Sequence, residues 1–93
     1  MSESLTKLEI MTAAFKRRHP NIQVEEIDLG DGTFEIRTHD PTVQREGEYM
    51  RTIPYTKEKF TPLWLASVVS QISIKLGFLR DIRKKKGTLP KQN

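Results

Sequence analysis

The chain has 93 residues and a mass of 10.8 kDa, with 16 Lys and Arg, 12 Asp and Glu, and no Cys. This length suits one small domain, because a single hydrophobic core normally takes ~100 residues. The lack of Cys excludes disulfides, a thiolate nucleophile and a zinc site with sulfur ligands.

The net charge of +4 combines two halves of opposite charge. Residues 1–50 contain six Lys or Arg and ten Asp or Glu, whereas residues 51–93 contain ten and two. Such asymmetry is typical of a chain that contacts a charged partner, or whose halves contact each other. The basic half is densest over residues 80–86, with Lys91 beyond them.

The sequence predicts a cytoplasmic protein without a membrane contact. Its first residues lack the basic region and apolar run of a secretory signal. The most apolar stretch, residues 63–79, is interrupted by polar side chains that are unfavourable in lipid. These are Ser67, Ser70, Gln71, Ser73 and Lys75.

A first helix is predicted to begin near Ser4, because Thr6 and Glu9 have the spacing of a capping box. It ends before Pro20. One face would carry Leu5, Leu8, Met11 and Phe15. The last turn would carry Lys16, Arg17 and Arg18, where cations interact favourably with the helix dipole.

Alternating residues on both sides of Gly30-Asp31-Gly32 predict a β-hairpin. The alternation changes phase at Glu25 and Glu26, which predicts a β-bulge in the first strand. A polar loop is expected over residues 39–47. A third strand is expected over residues 48–55, with Pro54 near an edge or strand end.

A long C-terminal helix is predicted to begin with Thr61 as the cap and Pro62 in the first turn, and to end at Gly87. Residues 72–78 also alternate as a strand would, but the signals at both ends favour the helix. The predicted fold is therefore α+β with the order α-β-β-β-α. It forms one domain over residues 1–86, followed by a flexible tail over residues 87–93.

This helix has more apolar surface than one buried face requires. One stripe consists of Leu65, Val68, Val69, Ile72, Leu76 and Leu79. A second patch consists of Leu63, Trp64, Ile74, Phe78 and Ile82. Small residues run beside it: Ala66, Ser70, Ser73 and Gly77.

Two explanations of the second patch stay open at this point. Either the first helix covers it within one chain, or the patch and the small residues form a protein interface. The second explanation predicts another protein as the partner, most simply a second copy of the chain in a dimer.

The alternative function is nucleic-acid binding through phosphate contacts of the basic residues. The candidates are Lys16, Arg17, Arg18, Arg80, Arg83, Lys84, Lys85 and Lys86. The competing explanation is that these cations interact with helix dipoles and keep a small protein soluble.

The residues that usually carry chemistry form no catalytic pattern. His39 precedes Asp40, but no nucleophile or second His accompanies this pair. His19, at a helix end, is expected to cap backbone carbonyls. We therefore expect no enzyme activity, metal site or cofactor. The leading prediction is a small binding or regulatory protein, such as an inhibitor or adaptor, that acts as a homo-oligomer through its long helix.

Overall fold

The computed structural model describes residues 6–90 and has the predicted α+β order. An N-terminal helix precedes a three-stranded antiparallel sheet in the order β1-β2-β3, and a long helix follows. The elements are α1 (Lys7–Lys16), β1 (Gln23–Asp28), β2 (Phe34–His39), β3 (Met50–Arg51), a 3-10 turn (Lys57–Lys59) and α2 (Pro62–Lys86).

Helix α1 begins with the predicted capping box. The hydroxyl of Thr6 accepts a hydrogen bond from the Glu9 amide, and the Glu9 carboxylate accepts one from the Thr6 amide. Met11 and Phe15 are fully buried, but Leu8 is about half exposed, so the buried face is narrower than predicted. Leu5 and the predicted start at Ser4 lie outside the described residues.

The hairpin of β1 and β2 is confirmed, but the predicted bulge is wrong. The two strands pair without interruption from Gln23 opposite His39 to Asp28 opposite Phe34. Gly30 and Gly32 have φ angles of 85° and 86°, a conformation that favours glycine, and they form the turn. Where the alternation changes phase, the side chain that points inward is that of Glu26. Its carboxylate contacts Tyr55 and Lys7.

The third strand is shorter than predicted. The sheet has its one extra residue beside this strand and not in β1. Arg37 is opposite Arg51, but Phe34 is opposite Tyr55, so residues 52–54 contain one more residue than the facing part of β2. The hydroxyl of Thr52 accepts the Ile36 amide hydrogen. Pro54, which has no amide hydrogen to donate, lies within this irregular stretch.

Helix α2 is continuous through residues 72–78, which confirms the helical prediction for this segment. Thr61 caps its first turn through a hydrogen bond from the Trp64 amide, and Pro62 follows. Gly87, with a φ angle of 68°, ends it. The Thr88 amide then donates to the Arg83 carbonyl at 2.8 Å, within the segment predicted as a tail. Residues 91–93 of that segment lie outside the described residues.

Both helices and the inner face of the sheet share one core. Its members are Met11, Phe15, Ile22, Ile36, Val43, Tyr55, Leu65, Val68, Val69, Ile72 and Leu76. Val43 belongs to the loop predicted as polar, yet it is fully buried, and it follows a tight turn at Asp40. The Asp40 carboxylate accepts hydrogen bonds from the amide and hydroxyl of Thr42.

Candidate protein interface on helix α2

The two sides of α2 differ sharply in burial. All members of the first predicted stripe are buried except Leu79. That residue is partly buried and packs against the core. The outer side carries four large apolar residues that are at least half exposed. They are Leu63 (83%), Ile74 (60%), Phe78 (67%) and Ile82 (50%). Helix α1 therefore does not cover the second patch.

Three of these residues form a continuous row. Ile74, Phe78 and Ile82 are spaced four residues apart, so they lie on one face of the helix over about 12 Å. We call them the outer row. Leu63 is more than four turns from Phe78 and is separated from the row by exposed Ser67 and Gln71.

Trp64 belongs more to the core than to the outer side. It is partly buried, and its ring lies 4.5 Å from that of Tyr55 and 5.9 Å from that of Phe60. Of the predicted interface residues, it is the one whose apolar surface is largely used within the chain.

The small residues beside the outer row are divided between solvent and α1. Ala66 is exposed, whereas Ser70, Ser73 and Gly77 are half-buried. The Ser73 hydroxyl lies 2.8 Å from Nε2 of His19, which follows α1. The end of α1 thus lies against part of this strip, while the outer row stays free.

His19, Asp40, Ser73 and Arg80 form a cluster that we call the polar junction. Nδ1 of His19 lies 3.6 Å from Oδ2 of Asp40, and Nη2 of Arg80 lies 3.9 Å from the same oxygen. His19 and Asp40 are buried. Burial lowers the pKa of His19 below 6.5, opposed by Asp40 and aided by Arg80 and Arg18. His19 therefore connects two elements instead of capping carbonyls.

The junction has the residue types of a Ser-His-Asp triad, but its serine lies within a helix. Ser73 lies in the middle of α2, where the backbone N–H groups are used in helical hydrogen bonds. They are not free to stabilise an oxyanion beside the Ser73 hydroxyl. The contacts of His19 with Asp40 and Ser73 connect the segment after α1, the loop after β2, and α2.

His39 and Asp40, the candidate acid–base pair, have different partners in the structure. Its Nδ1 lies 2.5 Å from the Glu48 carbonyl, whereas Asp40 faces His19. His39 lines an open cleft of about 650 Å³ between β1, β2 and the following loop, together with Arg37 and Tyr49. The Arg37 guanidinium lies over the Tyr49 ring at 5.1 Å.

The predicted basic residues divide into bound and free groups. Arg83 donates two hydrogen bonds to the Glu48 carboxylate, at 2.6 and 2.7 Å, and a third to the Val43 carbonyl. The two bonds to the Glu48 carboxylate, with a further one from the Arg45 amide, lower the pKa of Glu48 to about 2. Within residues 6–90, no ion pair involves the exposed Lys16, Arg17, Arg18, Lys84, Lys85 or Lys86. Lys91 lies outside the described residues.

Helix α2 is long and apolar enough to cross a membrane when only length and composition are considered. Core helices of soluble proteins meet the same measure, and the inner side of α2 lies in the core. Among the described residues, no group of three or more His, Asp or Glu is arranged to hold a metal ion. Comparison with known proteins finds no matching family model, curated protein or solved structure.

Proposed function

We propose that this protein is a small non-catalytic binding protein that acts through the outer side of α2, with a second copy of the chain as its partner. One observation carries the proposal: Ile74, Phe78 and Ile82 form an apolar row that the rest of the chain leaves exposed. Contiguous exposed apolar surface usually marks an interaction site. Within this class of protein, the role that we propose is that of a regulator, inhibitor or adaptor.

The outer row suits a two-fold symmetric contact. In an antiparallel pair centred on Phe78, Ile74 of each copy faces Ile82 of the other, and the two Phe78 rings meet. The same patch then contacts itself, as a two-fold interface requires. All the facing positions at the centre of this contact are apolar, so association would remove them from water.

Charges on α2 favour the antiparallel arrangement over the parallel one. A parallel pair would place Lys84, Lys85 and Lys86 of both copies at the same level, where they repel. In the antiparallel pair, Lys85 lies opposite the uncharged Gln71. Lys75 and Asp81 are each three residues from Phe78. Lys75 of one copy therefore shares its level with Asp81 of the other.

The test is sedimentation of the full chain from about 1 μM to about 1 mM, a range that brackets the affinity of a small interface. We expect a concentration-dependent dimer. The substitution Phe78→Asp should raise its dissociation constant at least tenfold, roughly the effect of losing a central apolar contact. The control is Ile53→Asp, because Ile53 is 86% exposed but lies outside α2.

Cross-linking tests the orientation separately, because the chain has no Cys. A mixture of Gln71→Cys and Lys85→Cys chains should form a mixed disulfide, while Gln71→Cys alone should not dimerise through its thiol. A monomer at every concentration would contradict the proposed function. A dimer in which Gln71→Cys cross-links to itself would contradict only the antiparallel arrangement.

A second candidate function is phosphate-backbone binding by the basic end of α2. It is supported by the exposed, unpaired Lys84, Lys85 and Lys86, and by the end of α1, which the His19–Ser73 contact holds beside α2. The test is a gel shift with duplex DNA at a series of salt concentrations. Changing all three lysines to Gln should make the slope of log binding constant against log salt concentration less steep by about 0.9 per lost phosphate contact. Changing Lys57 and Lys59 to Gln is the control. No binding at low salt, or equal loss in both variants, would reject this candidate.

A further inference from the structure

Three aromatic rings and a carboxylate surround the ammonium group of Lys7. The Nζ atom lies 5.0 Å from the centre of the Phe34 ring, 5.4 Å from that of Tyr55 and 4.8 Å from that of Phe60. It also lies 2.7 Å from the Glu26 carboxylate. We call Glu26, Phe34, Tyr55 and Phe60 the cage. Aromatic faces attract cations at these distances, and several rings together recognise alkylammonium groups.

The walls of the cage come from a different part of the chain than its occupant. Glu26 lies on β1 and Phe34 begins β2, while Tyr55 and Phe60 lie between β3 and α2. Helix α1 contributes only the cation, from its first residue. The cage is therefore formed by the sheet and the segment that follows it, and the cation reaches it from outside.

The walls of the cage also contact one another directly, in contacts that do not involve Lys7. The Tyr55 hydroxyl donates a hydrogen bond to the Glu26 carboxylate. The Tyr55 ring lies 6.2 Å from that of Phe34 and 4.5 Å from that of Trp64, which also contacts Phe60. Phe34 and Tyr55 are further joined by two backbone hydrogen bonds of 2.8 and 2.9 Å.

The site is also open enough to exchange its occupant. The Lys7 side chain is 31% exposed and that of Glu26 is 22% exposed, so the ammonium group lies at the rim of the fold. Tyr55, in contrast, is buried and forms the floor. A small cation can thus approach from the side on which Lys7 enters.

We propose that the cage is a binding site for alkylammonium groups and that Lys7 is its built-in, competing occupant. The carboxylate of Glu26 balances the positive charge, and the rings contact the methyl groups of a methylated ammonium ion. Because Lys7 is tethered to the same chain, it competes at a high effective concentration. The unmodified chain therefore binds such a ligand more weakly than a chain without this side chain.

The experiment titrates the full-length Lys7→Ala chain with tetramethylammonium chloride, and with sodium chloride to match the ionic strength. Trp64 is the only tryptophan and packs against Tyr55, so its fluorescence reports on the cage. We expect a saturable fluorescence change and a rise in the unfolding midpoint with tetramethylammonium only. The unmodified chain should require at least about tenfold more ligand.

Two variants serve as controls. Lys57→Ala removes an exposed lysine that is not in the cage, and it should respond like the unmodified chain. Adding Glu26→Gln to Lys7→Ala should weaken the response, because it removes the balancing charge. If Lys7→Ala does not fold alone, tetramethylammonium should restore its folding. The proposal is overturned if Lys7→Ala, folded or unfolded, responds equally to both salts.

Discussion

The inner and outer sides of α2 differ in burial and in their polar contacts. On the inner side, polar groups are held inside the fold: Ser73 contacts His19, and Arg83 binds Glu48 and the Val43 carbonyl. On the outer side, the apolar side chains of Ile74, Phe78 and Ile82 are exposed. Besides the apolar stripe that it places in the core, the helix thus makes polar contacts within the fold on its inner side and exposes apolar side chains on its outer side.

This difference separates what stabilises the monomer from what is available for binding. The inner side stabilises the monomer through its buried apolar stripe and through the Arg83–Glu48 contact, in which two nitrogen atoms of Arg83 donate to the carboxylate. An exposed apolar row contributes little to the stability of the monomer, because its area stays in water. Substitutions on the two sides should therefore affect different measurements.

The largest expected effect compares two phenylalanines. Phe15 is fully buried, whereas Phe78 is 67% exposed. We expect Phe15→Ala to lower the free energy of unfolding by about 3–5 kcal/mol, because it leaves a cavity in the core. Phe78→Ala should change it by less than about 0.5 kcal/mol at a concentration where the chain is monomeric. Urea unfolding of both variants measures the contrast, and a similar loss of stability in both would remove the distinction between the two sides.

A smaller effect concerns the pH dependence of the polar junction. Burial lowers the pKa of His19 in the folded chain, so the unfolded chain takes up the proton first. The contribution of neutral His19 is therefore complete above pH 6.5, the ordinary value, and is lost as the pH falls below it. We expect His19→Gln to be less sensitive to pH than the original chain just below this value, as measured by urea unfolding.

A separate carboxylate provides the internal control for that measurement. The pKa of Glu48 is lowered from 4.5 to about 2, chiefly by the hydrogen bonds from Arg83. Its contribution to stability is present above pH 4.5 and is lost as the pH falls toward 2. Both chains should show this second loss. An equal pH dependence of the two chains just below pH 6.5 would show that His19 is not the titrating group.

Long-range contacts explain where prediction from the sequence failed. The bulge expected at Glu25 and Glu26 assumed that each inward position is apolar, but Glu26 points inward to partners on α1 and beyond β3. The composition of residues 39–47 predicts a polar loop, but part of this loop is buried. Its buried Asp40 and Val43 contact His19 and Arg83, which are distant in sequence.

The pairing of the charged residues also depends on contacts that are distant in sequence. Arg80 and Arg83 resemble the neighbouring lysines in a list of basic residues, yet they face Asp40 and Glu48 across the fold. No spacing in the sequence connects Lys7 with Glu26, Phe34, Tyr55 and Phe60. A pairing of β1 with β2, and of Phe34 with Tyr55, is needed before these residues meet.

The sequence by itself determined the element order, the capping of both helices, the glycine turn and the excess of apolar surface on α2. These features depend on hydrogen bonds and periodicity within a few residues, which local sequence specifies. Only the tertiary structure decided which side of α2 stays exposed, which cations are paired and where Lys7 binds. The physical reason is that burial and charge pairing depend on groups brought together from distant parts of the chain.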